Sequence, residues 1–564
     1  MSKFNWKNTP ALTPQIYDLA KKWRVSPIVA KLLADRGLTD PTVQQAFMHP
    51  DIDQLLDPMK LNQMDKAVER INLAIMRQER IIIYGDYDVD GITSTTIMLE
   101  TLEMLGANVG YYIPDRFRDG YGPNVLVYRR LISQGAQLII TVDNGISGKN
   151  AVDTAKQYGV DVVITDHHQV PKDLPENAIA MVHPLLSDNY DFKDLCGAGV
   201  AFMVASALIG SWAFDEVDLA CLGTIADVMP LIGENRTLVS LGLDAIHHDS
   251  RIGLNRLLSV SQDDTTTVNE QTIGFRIGPR LNAIGRLENA NDGVSLLHDY
   301  NIMNAQMLAE HVDEINTKRR TAVENITDQI KNATAAVQKQ WHLTDPTRIV
   351  LGTSWSQGVL GIVASRMTDE DNRPTLVLNA NDELAKGSGR STDGYDLYKA
   401  LNPNRSLMSS FGGHTMACGL SVPIVNVDTL RKAMNKSAEQ QSFKVHPKIK
   451  HADMIYPNDQ PLEATYEDVQ QLAPFGQKNP EPVFEFRDLK IVSHHTVGKD
   501  KSHLQFRFQE PTDPEKVLGA IGFDLAPYEK LLDAPCKIYA TLGLNTWNGV
   551  TNVQLIVQDI QAID

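Results

Sequence analysis

Asp86, Asp88 and Asp90 alternate in DYDVDG, directly after the apolar run IIIY at 81–84. Carboxylates this close repel one another unless a cation lies among them. Taken alone, the same residues fit an Asp-rich turn capping the next helix equally well, because Asp before Gly91 is ordinary turn chemistry. Asp143 opens DNG after a second apolar run, LIITV at 138–142, and Asp166-His167-His168 follows a third, VDVVIT at 160–165. Asp227 lies in the largely apolar CLGTIADVMPL, where an unpaired carboxylate would be costly to bury. Asp88, Asp90, Asp143, His167 and Asp227 combine hard oxygens with an imidazole. That donor set suits Mn²⁺ first and Mg²⁺ next, with zinc compatible. The number of acids predicts two divalent ions. Two ions ~3.5–4 Å apart can generate hydroxide and stabilise both the attacking and the leaving oxygen of an in-line phosphoryl displacement.

The elements that must carry these residues are legible in the pattern. Short β-branched runs (IIIY, LIITV, VDVVIT and IAMV at 179–182) alternate with helix-like stretches. Such alternation predicts a parallel sheet covered on both faces, with ligands beyond the carboxyl ends of its strands. The Asp and His clusters stand at those ends. Two other pairs, His247-His248 and His494-His495, follow no such strand beside carboxylates and are read as surface residues.

Residues 1–78 read as helical. The span Asn301–Trp341 has no Gly or Pro, and its apolar residues recur close to helical period. It predicts one helix of ~60 Å at 1.5 Å per residue, with two shorter helices broken near Lys318–Arg320 as the alternative. A second α/β unit follows, with strands at 348–352, 375–379 and around 385–391 and a helix at 358–367. Six short strands between 483 and 557 predict a small barrel of the OB type. Four segments result: a parallel-sheet domain with its helical N-terminal part (1–300), a connecting helix (301–341), a second α/β domain (342–440), and a linker with the barrel (441–564).

A chain of 564 residues accommodates three or four domains. Its hydrophobic fraction of 43% and charged fraction of 22% are those of a folded protein, not a disordered tail. The four cysteines form no C-x-x-C pair, which argues against a disulfide framework and a structural zinc site. MSKFNWKNTP has no apolar signal region, and no long apolar run follows, so a reducing cytosol and no membrane are expected. The net charge of −17 argues against a generic DNA-coating protein. It is compatible with a nucleic-acid enzyme whose carboxylates are offset by divalent ions.

DYDVDG, DNG, DHH and the Asp of TIADVMPL, in this order and spacing, resemble the DHH phosphoesterase superfamily. The wider pattern is similar to its bacterial RecJ family: RFRDGYG (116–122), GPRLNAIGRL (278–287), GVLGIVASR (358–366), GSGRS (387–391) and FGGHTMACGL (411–420). The likeness spans nearly the whole chain. It implies a DHH catalytic domain, a DHH-associated domain with the GGH motif, and a nucleic-acid-binding OB domain. It also implies a single-strand-specific 5′→3′ exodeoxyribonuclease of recombination and repair that releases nucleoside 5′-monophosphates.

Carried over by motif, Asp88, Asp90, Asp143, His167 and Asp227 are the expected metal ligands. His168 is expected at the scissile phosphate or behind the ligands. Tyr84 stands where many members have a histidine ligand, and Asp86 is the expected compensation. His414 of the GGH motif is expected to contact the scissile phosphate. Ser388, Arg390 and Arg116 are candidates for a 5′-phosphate pocket, and Tyr121 for stacking on a base. Arg280, Asn282 and Arg286 are candidates for following the DNA backbone. Lys499, Lys501 and Trp547 are candidates for the border of a single-strand groove, while Phe506 and Phe508 are read as barrel core. The implied partners are single-stranded DNA with a 5′ end, a helicase and a single-strand-binding protein; a monomer is expected. Two rivals remain: a DHH enzyme for short oligonucleotides, cyclic dinucleotides or pyrophosphate, and a non-catalytic replication scaffold.

Overall fold

The computed structural model describes residues 2–334, 337–338, 341–547 and 549–563, and the side chain of Trp547 lies outside the described residues. Two compact units emerge. The first comprises Trp6–Asp313 with His451–Asp564, the second Glu314–Lys450 with Lys3–Asn5.

The first unit is built on a five-stranded parallel sheet: β1 (Ile81–Tyr84), β2 (Val109–Tyr112), β3 (Leu138–Val142), β4 (Asp161–Thr165) and β5 (Ala180–Val182), in the order β2-β1-β3-β4-β5. Every residue of β1 and β3 is buried, which is why these strands read as unbroken apolar runs. β2 was not among the expected strands. It lies at the sheet edge, is only half-buried and contains Gly110, so it carries no continuous apolar signal. Ile82, Tyr84, Ile139 and Ile164 pack on one face against Val127, Tyr128 and Val152. Three helices carry site residues or approach them: α1 (Val89–Met104), α2 (Gly197–Ile209) and α3 (Val217–Ala226). They are buried nearly all round, as expected for apolar sequences such as GAGVAFMVASALI.

The C-terminal sheet belongs to this same unit. Ile491–Val497, His503–Glu510 and Asp513–Gly522 pair antiparallel in sequence; Val550–Ala562 then pairs parallel with the third of them and antiparallel with Cys536–Trp547. Phe484–Arg487 and Met454–Ile455 extend the row to seven strands. All six expected strands are present. Phe506 and Phe508 are fully buried and Arg507 is exposed, as the alternation predicts. Ile28, Val29, Leu32 and Leu33 of the N-terminal helices lie in the core of this sheet.

α4 (Gly278–Leu287) precedes the long helix α5 (Ile302–Lys331). α5 has 30 residues, about 45 Å, and runs unbroken through Lys318–Arg320. It stops ten residues short of the expected Trp341. Asn332 N–H closes the last turn on Asp328, and Thr334 then caps a new turn, its Oγ1 accepting from Val337 N–H. Residues 335, 336, 339 and 340 of the expected span lie outside the described residues.

The second unit contains β6 (Arg348–Thr353), α6 (Leu360–Asp371), β7 (Thr375–Asn381), β8 (Leu384–Arg390), β9 (Ser410–Gly413) and β10 (Ala417–Pro423), with sheet order β9-β10-β8-β7-β6. β9 and β10 form a hairpin that the sequence reading did not separate. Among the described residues, no helix is long and apolar enough to cross a membrane.

Candidate metal centre

In a parallel sheet of order 2-1-3-4-5, the crevice opens at the carboxyl ends of β1 and β3, where the strand order reverses. Asp86 and Asp88 follow β1, Asp143 follows β3, and Asp166-His167-His168 follow β4. Asp88 caps α1, its Oδ1 accepting from Gly91 N–H at 3.1 Å. Asp143 takes φ +59, and Asn144 bonds the carbonyls of Tyr84 and Val142, which ties the turn to β1. Asp227 caps the carboxyl end of α3.

These side chains meet. His167 Nε2 lies 3.2 Å from Asp143 Oδ1, 3.6 Å from Asp90 Oδ2 and 3.7 Å from Asp227 Oδ2. Donor atoms of Asp86, Asp88 and Asp143 lie within 4.8 Å of one another, as do those of Asp90, His167 and Asp227, and those of Asp143, His167 and His168. Asp143 Oδ1 is buried with no hydrogen-bond partner among the described residues. Burial, then the charges of neighbouring aspartates, pushes Asp143 and Asp86 well above the usual carboxylate range, raises Asp88, and lifts Asp227 to about 8. Burial lowers His167, favouring the neutral imidazole that a metal requires. An orphaned oxygen, crowded acids and a neutral imidazole are the donor set of a divalent cation, and the residues fit one.

Two supporting elements escaped the sequence reading. The first is the start of α2. Gly197 and Ala198 N–H donate to Asp90 Oδ2 and Oδ1 at 2.6 and 2.8 Å, so a helix N-terminus holds this carboxylate. Its signal was CGAG before an apolar run. The second is Asp166. Its Oδ1 accepts from His167 N–H and His168 N–H, and its Oδ2 from Ile146 N–H. The same Oδ1 lies 2.8 Å from His168 Nδ1. Burial opposes the Asp166 charge, but the bond to His168, the His168 charge and the backbone donors outweigh it and hold Asp166 at about 2. Burial likewise opposes the His168 charge, yet Asp166 raises it to about 9.

The remaining candidates divide. Tyr121 hydroxyl lies 2.9 Å from His168 Nε2, so it is engaged at the centre, though its ring is largely exposed. The Arg116 guanidinium stacks 3.9 Å over Tyr87, and its Nε donates to Gly285 O. Asn282 Oδ1 accepts from Val89 N–H at 3.3 Å, beside Asp88, and Arg286 lies half-buried on the same helix. Arg280 Nε lies 2.8 Å from Asp313 Oδ1 and its side chain is 14% exposed, so it links α4 to α5. Tyr84 is fully buried and donates its hydroxyl to Gly122 O, which leaves it no place among the ligands.

In the second unit, the first four residues of GSGRS end strand β8. A Cβ at Gly387 would lie 2.0 Å from Val377 O, so only glycine allows this close pairing. Ser388 and Arg390 share a face, and a Cβ at Gly361 would lie 3.1 Å from Arg390 Nη2 and 3.5 Å from Ser388 Oγ. A guanidinium and a hydroxyl thus sit beside the N-terminus of α6, a setting that favours anions. His414 is exposed at the tip of the β9–β10 hairpin, its N–H donating to Ala417 O at 2.8 Å.

Comparison with known proteins agrees with this architecture. Residues 80–227 match the DHH family, N-terminal domain, residues 345–440 the DHHA1 domain, and residues 452–559 the RecJ OB domain. The chain is 36% identical to the single-stranded-DNA-specific exonuclease RecJ of Bacillus subtilis over 99% of its own length and 71% of that protein. It is 33% identical to the Escherichia coli protein of the same name, over 95% of this chain and 96% of that one. The crystal structure of RecJ in complex with Mn²⁺ from Thermus thermophilus superimposes with a TM-score of 0.83 at 26% identity, covering 99% of this chain and 80% of that one. Parallel sheet, acidic crevice, second α/β unit and OB sheet therefore lead to one conclusion: the chain belongs to the RecJ family of DHH exonucleases.

Proposed function

We propose that this protein is a divalent-metal-dependent exonuclease that digests single-stranded DNA from its 5′ end and releases nucleoside 5′-monophosphates. The observation that carries the reading is the convergence of Asp86, Asp88, Asp90, Asp143, His167 and Asp227 at one crevice, with a buried Asp143 oxygen left unsatisfied. Asp88, Asp90, Asp143, His167 and Asp227 are the proposed ligands of two ions, Mn²⁺ before Mg²⁺, and Asp86 completes the corner that Tyr84 vacates. Bound there, such ions supply Lewis acidity and a water of lowered pKa.

The chain's own residues do the rest. Asp90 is fixed by α2 before any ion arrives, so its orientation costs nothing on binding. His168, oriented through Nδ1 by Asp166, is proposed to offer a hydrogen bond to a developing phosphorane. Tyr121 constrains its other ring nitrogen. Arg390 and Ser388 are proposed contacts of the 5′-phosphate, Arg116 is a second candidate for that role, and Asn282 and Arg286 are proposed to follow the backbone. For His414, the GGH motif alone supports contact with the scissile phosphate. A cytosolic monomer supplied by a helicase and a single-strand-binding protein is consistent with this role.

The test is a time course on 5′- and 3′-labelled single and double strands with Mn²⁺, Mg²⁺ or chelator, comparing wild type with Asp143→Ala. Mononucleotide release from the 5′ end of single strands, lost in the variant while most DNA binding persists, is the expected result. Near-normal turnover by Asp143→Ala would remove the mechanism.

A further inference from the structure

β5 ends at Val182, and the next residue, His183, stands one strand beyond the DHH turn on the same rim of the sheet. It is absent from the donor groups of the crevice, yet it is fully buried. A buried imidazole is costly unless both nitrogens find partners, and here both do. Leu185 N–H donates to its Nδ1 at 3.1 Å. Its Nε2 lies 2.8 Å from the carbonyl oxygen of His168. These two partners settle the tautomer. An N–H can only donate, so Nδ1 is bare; a carbonyl can only accept, so Nε2 carries the proton. His183 is therefore a neutral link that donates from the end of β5 into the DHH turn.

The backbone that carries this link is itself fixed. Leu186 N–H and Ser187 Oγ both donate to His183 O, at 3.1 and 2.7 Å, and Pro184 opens the short 3-10 turn that His183 caps. Asp166 N–H donates to Val182 O at 3.2 Å, which holds the ends of β4 and β5 side by side. Within the DHH turn, Asp166 holds the N–H and the ring Nδ1 of His168. The His168 carbonyl is held from the neighbouring strand, by His183. A carbonyl gripped at that point keeps the following peptide from turning, and the direction of the His168 side chain follows its backbone.

We propose that His183 is a positioning residue for phosphodiester cleavage: by gripping the His168 carbonyl, it aims the His168 imidazole at the scissile phosphate. The inference rests on the nuclease reading above and gives the fifth strand of the sheet a part in it. A group misplaced by ~1 Å at a reacting centre can cost roughly a hundredfold in rate. Both hydrogen bonds of the His183 ring go to backbone atoms and none to a carboxylate of the crevice. Its loss should therefore disturb the aim of His168 and leave ion binding in place.

The test measures kcat and KM on a 5′-phosphorylated single strand, Mn²⁺ affinity by calorimetry, and melting temperature. It compares wild type, His183→Ala, His183→Gln and Ser187→Ala, and His168→Ala with and without His183→Ala. In His183→Ala, kcat falls roughly tenfold while KM and Mn²⁺ affinity stay within about twofold. His183→Gln, whose amide reaches as far as the imidazole Nε2, restores most of kcat. Ser187→Ala weakens the same turn without touching His168, so it lowers the melting temperature and leaves kcat alone. In the His168→Ala background the loss of His183 costs little more, because the two act as one unit. Unchanged kcat in His183→Ala, loss of Mn²⁺ binding together with kcat, or full additivity with His168→Ala would overturn the proposal. A wild type that digests no single strand would sink the nuclease reading itself, and the inference with it.

Discussion

Gly197 stands so close to Asp143 that a Cβ at residue 197 would lie 2.5 Å from the Asp143 Cβ and 2.8 Å from its Oδ1. The same glycine donates its N–H to Asp90 Oδ2. One residue without a side chain thus seats two acids from different segments, Asp90 of α1 and Asp143 after β3. Gly197→Ala should displace Asp143 without unfolding the chain. The expected outcome is a loss of Mn²⁺ affinity by calorimetry and at least a hundredfold drop in kcat, with a circular dichroism spectrum like that of wild type. Unaltered Mn²⁺ binding would show that this packing does not position the ligands.

Crowded buried carboxylates burden the metal-free fold, and Asp143 is raised well above its ordinary range by burial and by Asp90 and Asp88. Asp143→Asn should therefore melt at a higher temperature than wild type in chelator. Mn²⁺ should raise the melting temperature of wild type, because only the folded chain holds the assembled ligands, and should leave the variant nearly unmoved. A variant less stable than wild type in chelator would contradict this account.

Glu234 lies away from the centre, with Leu56 N–H donating to its Oε1 at 2.6 Å, and burial raises it to about 7. The folded chain then binds the proton more tightly than the unfolded one, so stability falls as pH rises from about 4.5 through 7. Glu234→Gln keeps the acceptor and removes the titration. Urea unfolding should find the variant more stable than wild type at pH 8 by roughly 1–3 kcal/mol, with the gain shrinking towards pH 5. A gain independent of pH would point to packing instead.

Arg251 joins the two helices that carry Asp88, Asp90 and Asp227. It bonds Asp218 of α3 at 2.7 and 2.8 Å and Glu100 of α1 at 3.2 Å, with Glu216 3.6 Å away. Arg251→Met leaves buried Asp218 and Glu216 without their cation, while Glu100 keeps His298, and should cost about 3–5 kcal/mol in urea unfolding. Adding Glu216→Gln should recover part of that loss; no recovery would mean that the acids are not the source of the cost.

Arg390 is half-buried beside the α6 N-terminus, and among the described residues no carboxylate pairs with it. Arg390→Lys loses the planar fork that matches a phosphate. Its KM should rise roughly tenfold for 5′-phosphorylated strands and little for 5′-hydroxyl strands. Equal effects on both substrates would place the 5′-phosphate elsewhere.

Four of the five strands of the parallel sheet were legible because full burial leaves a continuous apolar run, and the carboxyl-end acids followed from them. β2 was not, since an edge strand needs no such run. The ligand candidates were legible as types and spacing; their support was not. Asp166 and the first turn of α2 act through backbone N–H groups, which every residue but proline has and which therefore leave little mark on a sequence. The ion pair of Arg280 with Asp313 was not legible either, because charge at a surface reads the same whether it meets phosphate or a carboxylate. The end of α5 at Lys331 was missed because Asn332 and Thr334 stop a helix by local bonding, with no Gly or Pro to announce it.

The acids that converge at the crevice come from the turn after β1 and the start of α1, the turn after β3, the DHH turn and the far end of α3, so the first and last of them are separated by about 140 residues of chain. During synthesis the ribosome releases Asp88 long before Asp227. A chain that ends before residue 227 lacks one of the converging acids, however well its parallel sheet forms.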